Sequence, residues 1–286
     1  TWVGRSFADG PSNPLNNNKA ILYINGEEVA DLSAITTNTA IQNYAFYGYC
    51  GFTGDFEIPG TITSIGTEAF CNNNFTTLNV ICGTNSTVGT RAFYNCKLLT
   101  DVTTGTNIRY IYNEAFRGCV ALQSMDVGHI GHDRDTLYNN NNGVLGYWFG
   151  TSNPGAGFYA VGAYSTNYLP ISLTNIIVRG GYLDQRVFQS CQYIEDINVI
   201  ATKSTIIYNY TFYGCKRLTD VALPASPITR IDMQAFYDCG SLVNMTLPFA
   251  GYEKTSNTTN IQSLFGYIFG SSSYTGARAI YQAYNY

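Results

Sequence analysis

The hydrophobic residues of this chain recur at a fixed spacing. An aliphatic residue, a phenylalanine five positions later and an alternating apolar stretch form one pattern, as in Ile231, Phe236 and Leu242 to Pro248. Alternation of this kind predicts a half-buried β-strand. The pattern occurs seven times, with its phenylalanine at Phe46, Phe70, Phe93, Phe116, Phe188, Phe212 and Phe236.

The spacing of the copies predicts the architecture. Consecutive phenylalanines lie 23 or 24 residues apart, except for 72 residues between Phe116 and Phe188. A period in the low twenties predicts a solenoid of stacked coils. Most copies carry a cysteine three positions after the phenylalanine, and Asn73 takes this position in the second copy. Cys50 comes one position late in the first copy, which one inserted residue explains.

The segment from Ile231 to Pro248 resembles the repeat of the BspA-like family, the Treponema pallidum type of leucine-rich repeat. It matches the family pattern Ile-x-x-x-Ala-Phe-x-x-Cys-x-x-Leu-x-x-Ile-x-Ile-Pro almost throughout. The resemblance implies a leucine-rich repeat solenoid of the α/β class, dominated by β-structure and wound as a right-handed superhelix. Short strands are then expected on the concave face, with short turns or helical turns on the convex side.

Two inserts are expected to interrupt the solenoid. We predict one solenoid domain with an N-terminal lead-in at 1–19, leucine-rich repeats at 20–129, an aromatic and glycine-rich insert at 130–172, repeats at 173–248 and a second insert at 249–286. The segment from Leu145 to Gly150 returns as Phe265 to Gly270, an offset of 120 residues. This offset predicts a larger repeat of several coils plus one insert. The strand that follows the first insert has no counterpart before Tyr286, which we interpret as truncation, with a terminal cap as the alternative.

The outward positions of the predicted strands form two columns across the sheet. The first column is Asp31, Asp55, Thr77, Asp101, Ser124, Asn175, Asp196, Asp220 and Asn244. The second column is Ser33, Glu57, Asn79, Thr103, Asp126, Ile177, Asn198, Ala222 and Thr246. Nearly all are short and polar, and carboxylates are frequent.

These columns predict a binding surface, because the concave face of a solenoid is its usual binding side. A stripe of carboxylates favours a cationic partner or a divalent ion. The alternative is that short polar residues only keep a solvated sheet soluble. The candidate binding residues are Asp55, Glu57, Asp101, Asp126, Asn175, Asp196, Asn198, Asp220 and Asn244.

The first insert supplies a second group of candidates. Tyr159, Tyr164 and Tyr168 lie in a segment that we expect to be exposed. Exposed tyrosines anchor protein interfaces, and their flat rings also stack on sugars. By contrast, the segment Tyr147 to Phe149 recurs in the second insert, so we predict that it packs the insert onto the solenoid.

Composition narrows the possible functions. Charged residues make up 12% of the chain, and the net charge is −4. This balance excludes a basic nucleic-acid surface, and no apolar run is long enough for a membrane span. The eight cysteines mostly share one inward repeat position, which predicts free thiols because their parallel Cα–Cβ vectors suit disulfide geometry poorly.

Candidate catalytic and metal chemistry is sparse. His129 and His132 lie beside Asp133 and Asp135, and such residues bind metals. A polar loop without a metal is the favoured interpretation, because no periodicity fixes these four residues relative to one another. The glycine-rich segment 150–157 lacks the lysine of a phosphate-binding loop. We therefore expect no enzyme activity, no cofactor and no metal site.

The resemblance implies an extracellular or cell-surface protein with a non-enzymatic role in recognition or adhesion. Its expected partner is a protein of a host matrix or microbial surface, bound on the concave face. A carbohydrate-binding module that uses the insert aromatics is an alternative, with a glycan as partner. A passive spacer is a third hypothesis.

Overall fold

Eight strands form one long parallel sheet in a computed structural model of the protein, which describes residues 5, 7–16, 21–24, 26–32, 39–249, 251–254, 265–272 and 275. With strands numbered in chain order, the long sheet contains β4 (Thr53–Ile58), β6 (Asn74–Val80), β8 (Asp101–Thr104), β10 (Ser124–Val127), β13 (Asn175–Val178), β14 (Asp196–Val199), β16 (Asp220–Ala222) and β18 (Asn244–Thr246). Successive coils supply neighbouring strands. Strand β10 pairs directly with β13 across the first insert, so the sheet passes through both blocks of repeats.

The remaining strands are short. A second parallel sheet contains β3 (Ala40–Ile41), β5 (Ser64–Ile65), β7 (Ser86–Val88) and β9 (Ile108–Ile111), and a parallel pair contains β15 (Ile206–Ile207) and β17 (Arg230–Ile231). Two antiparallel pairs are β1 (Tyr23–Ile24) with β2 (Glu27–Glu28), and β11 (Phe158–Gly162) with β12 (Thr166–Pro170). Short 3-10 helices span Asn141–Gly143, Leu145–Trp148 and Phe265–Ile268. The predicted solenoid of short strands and turns is confirmed.

The repeat phenylalanines stack into a ladder in the core. All seven are buried. Ring centroids of neighbours lie 5.5 Å apart for Phe93 and Phe116, 5.5 Å for Phe188 and Phe212, and 4.7 Å for Phe212 and Phe236. Burying one such side chain contributes about 1.5–3 kcal/mol to folding. The period in the sequence therefore places one ring of each coil against the ring of the next.

In five coils, the residue three positions after the phenylalanine bonds to the phenylalanine carbonyl of the coil before it. In four coils a cysteine Sγ donates to the carbonyl of the preceding phenylalanine, at 3.0–3.2 Å, and the donors are Cys96, Cys119, Cys215 and Cys239. Asn73 makes the same bond, from its Nδ2 to the Phe46 carbonyl at 2.8 Å. All eight cysteines are free thiols, and burial raises the pKa of Cys71 and Cys82 to about 12.

The first insert takes the place of a coil on the turn side of the solenoid. In a regular coil, the amide of the repeat phenylalanine donates to the coil that follows, as from Phe93 to the Ala115 carbonyl at 2.9 Å. The Phe116 amide donates instead to the Trp148 carbonyl of the insert, at 3.0 Å. The Leu145 amide then donates to the Val187 carbonyl of the following coil at 3.2 Å. Trp148 is fully buried, 6.1 Å from Phe116 between ring centroids. The predicted packing of this segment onto the solenoid is confirmed.

The second insert repeats these contacts at the predicted offset. The Phe236 amide donates to the Ile268 carbonyl at 3.0 Å, as that of Phe116 does to Trp148. The Ile231 amide donates to Tyr252 at 2.8 Å, matching the bond from Ile111 to the His132 carbonyl at 2.9 Å. Residues 255–264 and 276–286, and with them the expectation of a truncated or capping insert, lie outside the described residues.

Candidate functional site

The long sheet brings the two predicted columns together on one face, which we call the long-sheet face. Strand pairing aligns Asp55, Thr77, Asp101, Ser124, Asn175, Asp196, Asp220 and Asn244 as direct neighbours. It likewise aligns Glu57, Asn79, Thr103, Asp126, Ile177, Asn198, Ala222 and Thr246. Adjacent strands lie about 4.8 Å apart, so Asp101, Asp196 and Asp220 each have a polar neighbour on both sides. The predicted register is therefore confirmed over these eight strands.

The first member of the first column does not join the sheet. Asp31 lies in an exposed bend after β2, and the described long sheet begins at β4. The antiparallel pairing of β1 with β2 gives this lead-in a different geometry from the repeats. Ser33, the corresponding member of the second column, lies outside the described residues.

Carboxylates in the first half of the long-sheet face have short-range partners. Asp55 accepts a hydrogen bond from Thr77 at 2.6 Å, and Glu57 accepts one from Asn79 at 3.0 Å. Asp126 forms a bidentate ion pair with Arg179, at 2.5 and 2.6 Å. Arg179 directly follows β13 and reaches back one strand, a contact that sequence reasoning missed. Its cation neutralises one carboxylate of the predicted acidic stripe.

Two adjacent carboxylates concentrate negative charge in the second half. Asp196 and Asp220 are direct neighbours on β14 and β16. Burial and the charge of Asp220 raise the pKa of Asp196. Hydrogen bonds from Asn244, at 2.6 Å, and from Thr219 lower the pKa of Asp220. On the other side of this pair, the Oδ1 atom of Asn175 is buried and has no hydrogen-bond partner among the described residues.

The insert tyrosines do not form an exposed group. Tyr159 is only 7% exposed, and its ring packs against Tyr193 with centroids 4.7 Å apart. The expectation that Tyr159 is available to a ligand is therefore wrong, because the hairpin of β11 and β12 turns this side chain toward the solenoid. Tyr164 and Tyr168 are half-buried, and the Tyr164 ring lies under the guanidinium of Arg186 at 5.6 Å.

The histidines lie in two different environments. His129 is fully buried, its ring 6.2 Å from that of Trp148, and burial lowers its pKa to about 3. His132 lies among tyrosine rings, the nearest being Tyr112 at 4.7 Å. Asp133 and Asp135 pair with basic side chains. Within the described residues, no three His, Cys, Asp or Glu side chains are placed to hold a metal ion.

Comparison with known proteins identifies the family. The description "BspA type Leucine rich repeat region" matches residues 29–138 and 167–275, in six copies. The chain belongs to this family. BspA-type repeats serve as protein-interaction modules and are generally non-enzymatic. The described residues of this BspA-type protein include no helix with the length and hydrophobicity of a membrane span.

Comparison with solved structures finds leucine-rich repeat proteins of low sequence identity. A leucine-rich repeat protein from Bacteroides ovatus is 22% identical, with a TM-score of 0.32 over 73% of this chain and 58% of that one. The T. pallidum leucine-rich repeat protein is 18% identical, with a TM-score of 0.31 over 72% of each chain. A leucine-rich cell surface protein from Faecalibacterium prausnitzii is 16% identical, with a TM-score of 0.23 over 82% and 86%.

This chain thus spans 58% of the length of the Bacteroides ovatus protein. A search of the curated proteins gives no match.

Proposed function

We propose that this BspA-type protein is an extracellular or cell-surface recognition module that binds a protein of a host or microbial surface. The long-sheet face is its binding site, and adhesion is the biological result. The main observation that supports this proposal is the alignment of the two polar columns over eight strands. They form a continuous surface of short side chains, which suits a broad partner better than a small molecule.

Charge gives the proposed surface its preference for a partner. Asp126 is paired with the cation of Arg179. Asp101 is exposed, and Asp196 and Asp220 lie side by side, so these three carboxylates carry negative charge in the central and second parts of the face. Carboxylates that gather on one surface attract cationic groups and accelerate association with a basic partner. A basic segment of a matrix or microbial surface protein fits this chemistry.

A binding measurement with a matched charge control tests the proposal. Surface plasmon resonance against purified extracellular-matrix proteins compares the wild type with the triple variant Asp101→Asn, Asp196→Asn and Asp220→Asn. We expect affinity to fall at least about tenfold, mainly through slower association. The control variant changes Glu27, Glu28 and Glu253, which are exposed and lie outside the long sheet, to Gln.

Both variants lose three negative charges, so their comparison separates a site from a general charge effect. Equal loss in the two variants would contradict the proposed site. Binding to none of the proteins would favour the passive spacer. Glycan binding that survives the triple variant would place a second activity elsewhere on the molecule.

A further inference from the structure

Each coil presents two side chains on its turn side, at the positions two before and one after the repeat phenylalanine. The residue two before adopts a left-handed backbone, with φ between 51° and 67° in Glu68, Arg91, Glu114, Arg186, Tyr210 and Gln234. Because this conformation recurs, these side chains follow one another along the solenoid. The turn side therefore carries two columns of its own, one for each of these positions, in both blocks of repeats.

In the first block, the charged side chains of these columns form ion pairs with one another. Arg91 pairs with Glu114 at 2.5 Å and with Glu68 at 3.7 Å. Arg117 pairs with Glu114 at 3.4 Å. Both guanidinium groups also lie over the ring of Tyr94, at 5.8 and 5.7 Å. Every charge at these positions has an opposite charge beside it.

The second block replaces the ion pairs with a groove of about 390 Å³, which we call the aromatic groove. Its lining includes Arg186, Gln189, Tyr210, Tyr213, Gln234 and Tyr237. The rings of Tyr213 and Tyr237 are nearly parallel, with centroids 5.2 Å apart. Gln234 stands at the position that Glu114 has in the first block, 120 residues earlier. Among the described residues, the groove lining therefore contains a cation but no carboxylate.

Arg186 has only neutral partners among the described residues. Its guanidinium carbon lies 5.2 Å from the Tyr210 ring centre, and Nη1 is 3.4 Å from the Gln189 amide oxygen and 3.5 Å from the Ala163 carbonyl. Its Nε is buried and has no hydrogen-bond partner there. Asp238, next to Tyr237 in sequence, is 3.7 Å from Lys216.

We propose that the aromatic groove binds a sugar acid, such as a uronate or sialate residue of a glycan. A guanidinium binds a carboxylate through two parallel hydrogen bonds. The amides of Gln189 and Gln234 can each donate to and accept from neighbouring hydroxyls, and tyrosine edges supply apolar surface with a polar tip. The volume lies in the range of small-ligand sites. A sugar acid combines these features: one carboxylate, several hydroxyls and apolar C–H groups.

Titration calorimetry with 3′-sialyllactose, digalacturonate and neutral lactose tests this proposal. We expect binding of at least one acidic sugar and none of lactose, and about a tenfold loss of affinity in Arg186→Gln. Arg91→Gln, which removes a guanidinium two residues before a repeat phenylalanine of the first block, is the control and is expected to bind normally. Gln234→Glu restores the carboxylate of the first block and is expected to bind weakly, which keeps the test decisive if Arg186→Gln folds poorly.

Several results would overturn the proposal. They are equal binding of lactose, equal loss in Arg91→Gln, tighter binding of a glutamate-rich peptide, and no binding at millimolar sugar. The two acidic sugars distinguish a sialate from a uronate ligand. The Asp101, Asp196 and Asp220 variant of the long-sheet face is expected to retain sugar binding, so this test and that of the proposed function can fail separately.

Discussion

The residue three positions after each repeat phenylalanine does its work through one hydrogen bond between coils. The acceptor is the carbonyl of the phenylalanine in the preceding coil, and the bond is buried. A thiol and an amide both supply the donor, which explains why Asn73 can replace cysteine in the second coil. The small size of both side chains lets the rings on either side stay stacked.

The bond from Asn73 gives a prediction about stability. Asn73→Ala removes this donor, while the Tyr49 amide still donates to the Phe46 carbonyl at 3.1 Å, so we expect the free energy of unfolding to fall by about 0.5–1.5 kcal/mol. Asn73→Cys keeps a donor and removes the unpaired Oδ1 atom of Asn73, so we expect a change below about 1 kcal/mol. Urea unfolding followed by tryptophan fluorescence measures both. Equal losses in the two variants would contradict the role of the bond.

A buried carboxyl makes stability depend on pH. Asp184 is 3% exposed and lies against Gly143 of the first insert. Burial raises its pKa to about 7, although a hydrogen bond from the Tyr138 backbone opposes this shift. The folded state therefore keeps a proton that the unfolded chain releases near pH 4. The contribution of Asp184 to the free energy of unfolding therefore falls as the pH rises from about 4 to about 7 and is constant above that range.

We expect Asp184→Asn to remove this loss. The difference in unfolding free energy between the variant and the wild type should grow by more than about 1 kcal/mol in favour of the variant between pH 4 and pH 7. Thermal or urea unfolding at several pH values measures it. Asp101→Asn, which changes an exposed carboxylate, serves as the control and is expected to follow the wild type. A constant difference across this pH range would contradict the raised pKa.

At the scale of elements, the backbone of the first insert closely approaches Glu114, a buried carboxylate that forms ion pairs. Gly150 has φ of +85°, and a Cβ atom on it would lie 2.6 Å from Cγ and Oε1 of Glu114. Glu114 pairs with Arg91 and Arg117. The glycine thus lets the insert occupy a coil's place without displacing these charges. Gly270 repeats this approach against Gln234.

We predict that Gly150→Ala destabilises the protein by about 1–3 kcal/mol, because it adds both backbone strain and a clash with Glu114. Hydrogen exchange should also increase at the Phe116 and Gly150 amides, which donate to carbonyls of the insert, Trp148 and Gly146. The matched control is Gly162→Ala on β11, where a Cβ atom meets nothing within 4 Å. We expect less than about 0.5 kcal/mol there. Similar effects in both variants would show that the insert does not depend on this approach.

At the scale of the whole molecule, most of the fold could be predicted because one period determines it. Once Phe70 and Phe93 are aligned, the alternation of a strand fixes which side chains face outward, so the outward positions of Asp101 and Asp126 follow from their spacing alone. The 120-residue offset likewise predicted that the segment from Phe265 to Ile268 packs onto the solenoid, as its counterpart in the first insert does. These inferences need only local spacing, which repeats in every coil.

Contacts that break the period could not be predicted. Tyr159 is buried by Tyr193, in the coil that follows its own hairpin, and neither position belongs to the repeat. Arg179 reaches Asp126 across 53 residues because the first insert separates two strands that are neighbours in space. The aromatic groove could not be recognised either, since it depends on which charges in adjacent coils find partners.

The bonds from cysteine and asparagine to the phenylalanine carbonyls, like the strand pairing, connect each coil only to its neighbours. A pull applied between the two ends of the chain therefore loads these links one coil after another rather than all at once. Each released coil of 23 or 24 residues lengthens the chain by about 80 Å. If the chain were tethered at one end and bound to a partner at the other, stretching would dissipate mechanical work in small steps, and the outermost coils would yield before the rest of the ladder.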